Sequence, residues 1–375
     1  MTLIVILVLV PTALWVASVL FFSGEDLSPY DVPGAPGAAV SFPGHEGPSD
    51  GHWEAVAAVQ QFGLQTRGLS GRRRIEAMRR YLEQQGRGRD YACTFTPADA
   101  GGVPAEWVRA PGADSSRRVL YIHGGAFFAG SPVSHRNITN QFAERTGASV
   151  LAIDYRLMPE HRRSAGIEDC RTAYRWILGN GPDGAQPLEH LVVSGDSAGG
   201  NLSLSLVAWL RDQGLRLPDA VVVISPIVDS TFSSPSILRN LEHDVMLGPM
   251  FKLLLGMPGW IRRWMFLLGN RFNPANPVVS PVFGDLSGLP PTLIQVSEVE
   301  ALLDDARRYV NKASAAGTRA VVQSWGHMMH VWHFFYPEVR EAGEAWDEIV
   351  RFVDATGLAA LGGSEKALQP APRRR

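Results

Sequence analysis

The sequence predicts an α/β fold, with a mostly parallel, eight-stranded sheet flanked by helices and its chemistry at the strand ends. Three observations predict it. Strand-like apolar runs near 91–96, 104–109, 118–122, 149–154, 191–194, 220–225, 292–297 and 319–324 alternate, after the first three, with helical stretches. One run breaks into Gly195-Asp196-Ser197-Ala198-Gly199-Gly200 and another into His123-Gly124-Gly125-Ala126-Phe127. Both breaks fall where strands end, which is where open α/β sheets gather their sites. The motifs of this one site run from 123 to 330, so the 375 residues are read as one catalytic domain rather than two.

Taken in order, the chain opens with Thr2 to Phe22, which carries no charge. That run is long enough to span a bilayer and lacks the basic start and small-residue cleavage site of a signal peptide. Residues 1–22 are therefore read as a transmembrane anchor, placing the protein on a membrane with the side unassigned. Residues 23–52, rich in Gly, Pro and Ser, read as a linker. Residues 53–357 form the catalytic domain. Within it, 53–90 reads as helical with Ile75, Met78 and Leu82 on one face, and 230–276 interrupts the α/β alternation with the apolar stretch Met246 to Leu268. These two segments stand outside the core, and the family resemblance carried by the motifs below implies that they form a helical cap. Its apolar residues are expected to pack on the catalytic domain or, in a sharper reading, to touch lipid with Arg262 and Arg263 at headgroup level. Residues 358–375 read as a disordered tail.

Composition excludes several classes. A net charge of −2 gives no case for nucleic acid, and Arg72, Arg73, Arg74, Arg79 and Arg80 read as a solvated helix face. Cys93 and Cys170 specify neither a disulfide framework nor a metal motif. His327, His330 and His333 could in principle meet a zinc, but no cysteine or acidic ligand sits among them, so no metal and no cofactor is expected.

The residue types at the two breaks point to nucleophilic chemistry. In G-x-S-x-G a serine stands at a sharp strand-to-helix turn, and Gly195 and Gly199 supply the space that turn needs. The H-G-G loop leaves backbone N–H groups open to a developing oxyanion. Gly124 and Gly125 are the expected donors, with Ala198, at the start of its helix, as the third. A base and an orienting acid must follow. The strand-like run 292–297 leads into Glu298, Glu300, Asp304 and Asp305, and the run 319–324 leads into the three histidines.

The motifs H-G-G-A-F, Asp154-Tyr155-Arg156-Leu157-Met158-Pro159-Glu160-His161 and G-D-S-A-G-G together resemble the hormone-sensitive-lipase-like esterases of the α/β-hydrolase superfamily, over roughly residues 50 to 355. The resemblance implies an α/β-hydrolase fold and a carboxylic-ester hydrolase using Ser197 as nucleophile, His330 as base and Glu300 as orienting acid. His330 matches the family's M-x-H-aromatic pattern through Met328 and Trp332. Glu300 matches its acid pattern through Leu302 and Asp304, with Glu298 as the competing choice. The substrates so implied are uncharged small-molecule esters of short to medium acyl length, lipid-derived esters or lactones. An acyltransferase on the same triad and a non-catalytic receptor of the same fold are the alternatives. Where the family usually carries a third glycine this chain has Ala126, from which a changed pocket shape is expected.

Overall fold

The computed structural model describes residues 2–32, 38–42 and 47–358. The expected tail from 359 onward lies outside these residues. Nine strands build one sheet: β1 (Ala39–Phe42), β2 (Thr94–Asp99), β3 (Pro104–Arg109), β4 (Asp114–Ile122), β5 (Ala148–Ile153), β6 (His190–Asp196), β7 (Ala220–Ile224), β8 (Thr292–Ser297) and β9 (Ala320–Trp325). Their spatial order is β1-β9-β8-β7-β6-β4-β5-β3-β2. β2 and β3 run antiparallel to their neighbours and the remaining pairs are parallel. The central strands are apolar without alternation because helices cover both faces: Val119, Leu120, Tyr121 and Ile122 are all fully buried.

Helices α1 (Thr2–Phe22), α2 (Asp50–Gln65) and α3 (Gly71–Gly86) precede β2; α4 (Arg136–Thr146) and α5 (Arg163–Ile177) follow β4 and β5. The helix α6 (Ser197–Asp212) leaves β6. The short helices α7 (Pro235–Arg239), α8 (Gly248–Leu255) and α9 (Gly259–Asn270) occupy the interruption after β7, and α10 (Leu303–Ala315) and α11 (Arg340–Val353) follow β8 and β9.

The N-terminal fifty residues depart from expectation. Among the described residues no helix is long and apolar enough to cross a membrane, which overturns the transmembrane anchor, the membrane partner and the membrane location inferred from residues 1–22. α1 lies on α9 instead. The Trp264 indole N–H donates to the Leu14 carbonyl (3.1 Å), Arg263 donates to the buried Ser18 hydroxyl (3.2 Å), and Phe22 meets Trp264 edge-on at 4.9 Å. An all-apolar helix reads the same from sequence whether lipid or protein covers it. The same contacts turn Arg263 toward protein, and Arg262 donates to the Met257 carbonyl (3.0 Å), so neither side chain is set at a headgroup level.

The described parts of residues 23–52, expected as a linker, are tied to the domain. Asp31 pairs with Arg308, and Asn311 donates to the carbonyls of Tyr30 (2.8 Å) and Val32 (2.6 Å). β1 then adds a ninth, parallel strand beside β9, where Phe42 stacks on Trp325 with centroids 4.4 Å apart.

The two expected cap segments behave differently from a simple lid. α2 buries Ala55, Val56 and Val59 against Trp325, Met328, Met329 and Trp332, the loop that carries His330. α3 is tied to the H-G-G loop by Arg79, whose Nε donates to the Phe128 carbonyl (2.7 Å) and whose fork pairs with Glu160. Arg79 is thus a structural clamp and not a solvated charge. In the later segment, Phe251 and Ile237 pack with Ala301 and Leu302 just beyond Glu300.

Candidate active site

The strand-to-helix turn after β6 is tight enough to require both motif glycines. A Cβ on Gly199 would lie 1.9 Å from the Ile122 carbonyl oxygen and 2.5 Å from that of His123; one on Gly195 would lie 2.5 Å from the Ile122 oxygen. The clashing atoms are backbone and cannot move aside. Gly199→Ala is therefore expected to prevent accumulation of folded protein, read as loss of the near-ultraviolet circular dichroism signal. Between these glycines Ser197 is held at φ 51°, a left-handed conformation that costs about 1–3 kcal/mol in a non-glycine residue and is kept where the surroundings over-determine it.

The structure brings Ser197, His330 and Glu300 into one line. His330 Nε2 lies 3.0 Å from Ser197 Oγ, and His330 Nδ1 lies 2.6 Å from Glu300 Oε2. With Glu300 ionised, Nδ1 carries the ring proton and Nε2 is the acceptor for the serine hydroxyl. Glu300 Oε1 accepts from the Ser225 hydroxyl (2.9 Å) and the Ser297 N–H (2.8 Å), so both carboxylate oxygens are committed. Burial works against the imidazolium, yet the adjacent Glu300 carboxylate outweighs it, with Asp244 and Asp196 adding, and the His330 pKa rises above its ordinary value. Burial pushes the Glu300 carboxyl up, with His330 opposing. Such a line is the equipment of a nucleophilic hydrolase.

The remaining candidates are placed elsewhere. Glu298 accepts from Ser41 (2.8 Å) and Ser324 (3.1 Å) at the sheet edge. Asp304 pairs with Arg239 (2.9 Å) in the first turn of α10. Asp305 reaches away from that turn to accept the N–H groups of Val228 (2.8 Å) and Asp229 (3.0 Å), and burial beside Asp229 pushes its carboxyl up to about 7. His327 is exposed at φ 64°. His333 is buried, its Nε2 2.6 Å from Gln295 Oε1, and burial pushes its pKa down to about 3.

One expected oxyanion donor is corrected. The Gly124 N–H is already donated to Asp196 Oδ1 (2.9 Å), so it is not open to a substrate. The next two N–H groups, of Gly125 (φ 109°) and Ala126 (φ 56°), have no acceptor among the described residues. The Ala198 N–H belongs to the first turn of α6, whose donors have no partner inside the helix.

Several residues around the site carry no sequence motif. Ser225, at the end of β7, joins Glu300 to the histidine loop by accepting the Val331 N–H at 3.4 Å. Asn240 donates to the carbonyls of Glu298 (2.8 Å) and Glu300 (2.7 Å), and Asp244 accepts the Ala301 N–H (2.9 Å). Asn240 and Asp244 thus hold the loop that carries Glu300. Only Ser225 had a signal, its place at the end of a strand-like run beside the other strand-end residues.

Known proteins share this fold. The alpha/beta hydrolase fold family matches residues 119–334, more than half of the chain. The chain is 38% identical over 263 residues to an acetyl-hydrolase of Streptomyces hygroscopicus, covering 69% of this chain and 83% of that protein. It is 35% identical to the carboxylesterase/phospholipase LipF of Mycobacterium tuberculosis, over 72% of this chain and 74% of the relative. Among solved structures, an esterase from the bacterial hormone-sensitive lipase family superposes with a TM-score of 0.72 at 34% identity, covering 83% of this chain and 99% of its own. EstE5, determined after a soak with p-nitrophenyl butyrate, superposes with a TM-score of 0.69 at 34% identity, over 82% of this chain and 98% of its own. The chain belongs to the alpha/beta hydrolase fold family, in its hormone-sensitive-lipase branch, and is a carboxylic-ester hydrolase.

Proposed function

We propose that this esterase works through Ser197, His330 and Glu300 by way of an acyl-enzyme, on uncharged esters of short to medium acyl length. His330 Nε2 takes the Ser197 proton as Oγ attacks the ester carbonyl. Glu300 holds the imidazole in the required tautomer and stabilises its cation, and the protonated His330 then gives its proton to the departing alcohol. Water, deprotonated by the same imidazole, releases the acid. The oxyanion is received by the N–H groups of Gly125, Ala126 and Ala198, each typically worth about 2.7–4 kcal/mol of transition-state stabilisation. The observation that carries the reading is the pair of hydrogen bonds on opposite nitrogens of His330, to Ser197 at 3.0 Å and to Glu300 at 2.6 Å.

The acyl length is supported by relatives. One is named an acetyl-hydrolase, and EstE5 was soaked with p-nitrophenyl butyrate. A p-nitrophenyl ester series tests it. A methylene that fits a pocket adds about 1–3 kcal/mol of transition-state binding, so kcat/KM is expected to climb through the short chains and collapse beyond about eight carbons. A rate still rising at about sixteen carbons would contradict the substrate class; no hydrolysis at any length would contradict the mechanism.

A further inference from the structure

The loop that presents Gly125 and Ala126 is half-buried and strained. Ala126 and Phe127 stand consecutively in the left-handed region, at φ 56° and 68°. Such a pair keeps its shape only where neighbours impose it. Three side chains do so. Arg79 holds the Phe128 carbonyl at 2.7 Å, the Arg163 guanidinium lies 3.8 Å from the Phe127 ring centre, and Asp196 takes the Gly124 N–H at 2.9 Å.

Asp196 differs from the other two in its place. It directly precedes Ser197, so its bond to Gly124 fixes the loop relative to the nucleophile itself. It is buried beneath the loop, and the same Oδ1 accepts the Tyr121 hydroxyl (2.6 Å) and faces His135 Nε2 (3.4 Å). The fit is close: a Cβ on Gly124 would lie 2.1 Å from Asp196 Oδ2. A negative charge this near a developing oxyanion opposes catalysis, so electrostatics alone gives no reason to place it there. Its neighbours offset that charge. Burial would push the carboxyl up, but His135, Tyr121 and the Gly124 N–H hold it below the ordinary carboxylate range, ready to accept.

We propose that Asp196 is the positioning residue of the oxyanion hole: its carboxylate fixes Gly124 against the nucleophile turn and so aims the Gly125 and Ala126 N–H groups at the point where Ala198 also donates. Asp196 touches no reacting atom in this role. The proposal rests on the acyl-enzyme reading above.

The test is kcat and KM for p-nitrophenyl butyrate, per active site titrated with a p-nitrophenyl phosphonate, together with the affinity of a trifluoromethyl ketone whose serine adduct carries the oxyanion. Asp196→Ala is expected to lower kcat by about 10²–10³-fold, the usual cost of one oxyanion donor, with KM changed by less than about threefold. Trifluoromethyl ketone affinity should fall in step with kcat, which a loss of folded protein would not produce. Asp196→Asn keeps Oδ1 as an acceptor and is expected to stay within about tenfold of the parent. If Asp196→Ala does not fold, Tyr121→Phe frees one side of the carboxylate at nearly constant volume and should lower kcat about fivefold with KM unchanged.

A kcat for Asp196→Ala within about threefold of the parent, or for Tyr121→Phe equal to it, would overturn the proposal, as would an Asp196→Asn variant as impaired as Asp196→Ala. Ser197→Ala separates the two readings. Hydrolysis that survives Ser197→Ala defeats the acyl-enzyme mechanism. Ser197-dependent hydrolysis that is indifferent to Asp196 defeats the positioning role alone.

Discussion

Ser197→Ala is expected to lower kcat for p-nitrophenyl butyrate by on the order of 10⁶-fold, leaving the fold intact and KM nearly unchanged. The reason is that the hydroxyl supplies the attacking atom and His330 has no other proton to take: its Nε2 lies 3.0 Å from Ser197 Oγ, and its Nδ1 is committed to Glu300. His330→Ala should cost about as much, and the double variant little more, because the residues act as one unit. Steady-state kinetics on the two single variants and the double variant checks this; multiplicative losses would show that Ser197 and His330 act independently.

Glu300→Gln should lower kcat by about 10⁴-fold, since the amide can hold the ring in the wrong tautomer and cannot balance its charge. The pH dependence gives a second reading with a definite sign. His330 must be neutral to act as base, so kcat/KM falls as pH drops through its pKa. Glu300 raises that pKa above the ordinary 6.5, so the parent should lose activity at a pH above that value. Removing the carboxylate removes the largest raising influence, so the acid limb of Glu300→Gln should move to lower pH. A pH–rate profile of both proteins tests this, and an acid limb that stays in place or moves upward would mean Glu300 is not the partner of the base.

Much of the fold was legible because burial on both sheet faces leaves continuous apolar runs in sequence. The turn that carries Ser197 was legible for a steric reason: Gly195 and Gly199 pass within 2.5 Å of backbone oxygens at their missing Cβ positions, so the motif records a contact. The oxyanion donors were only partly so. Which N–H stays free depends on a side chain, and Asp196, an open x in G-x-S-x-G, takes that of Gly124 and leaves those of Gly125 and Ala126 without an acceptor among the described residues. The N-terminal segment misled for the opposite reason. Nothing in an uncharged run shows that Trp264 and Arg263 will hold one side of it, and the four residues of β1 lie between stretches of Gly and Pro. The supports from Asn240 and Asp244 were invisible because they act across the fold, Asn240 60 residues from the Glu300 whose carbonyl it bonds.

The most direct test of the central claim is the intact mass of the protein after rapid acid quench during turnover of p-nitrophenyl butyrate, with peptide mapping of any adduct. The mechanism predicts a single butyryl group on Ser197, absent from Ser197→Ala and accumulating in step with the release of p-nitrophenol. Turnover without an acyl adduct, or an adduct on another residue that persists in Ser197→Ala, would contradict it.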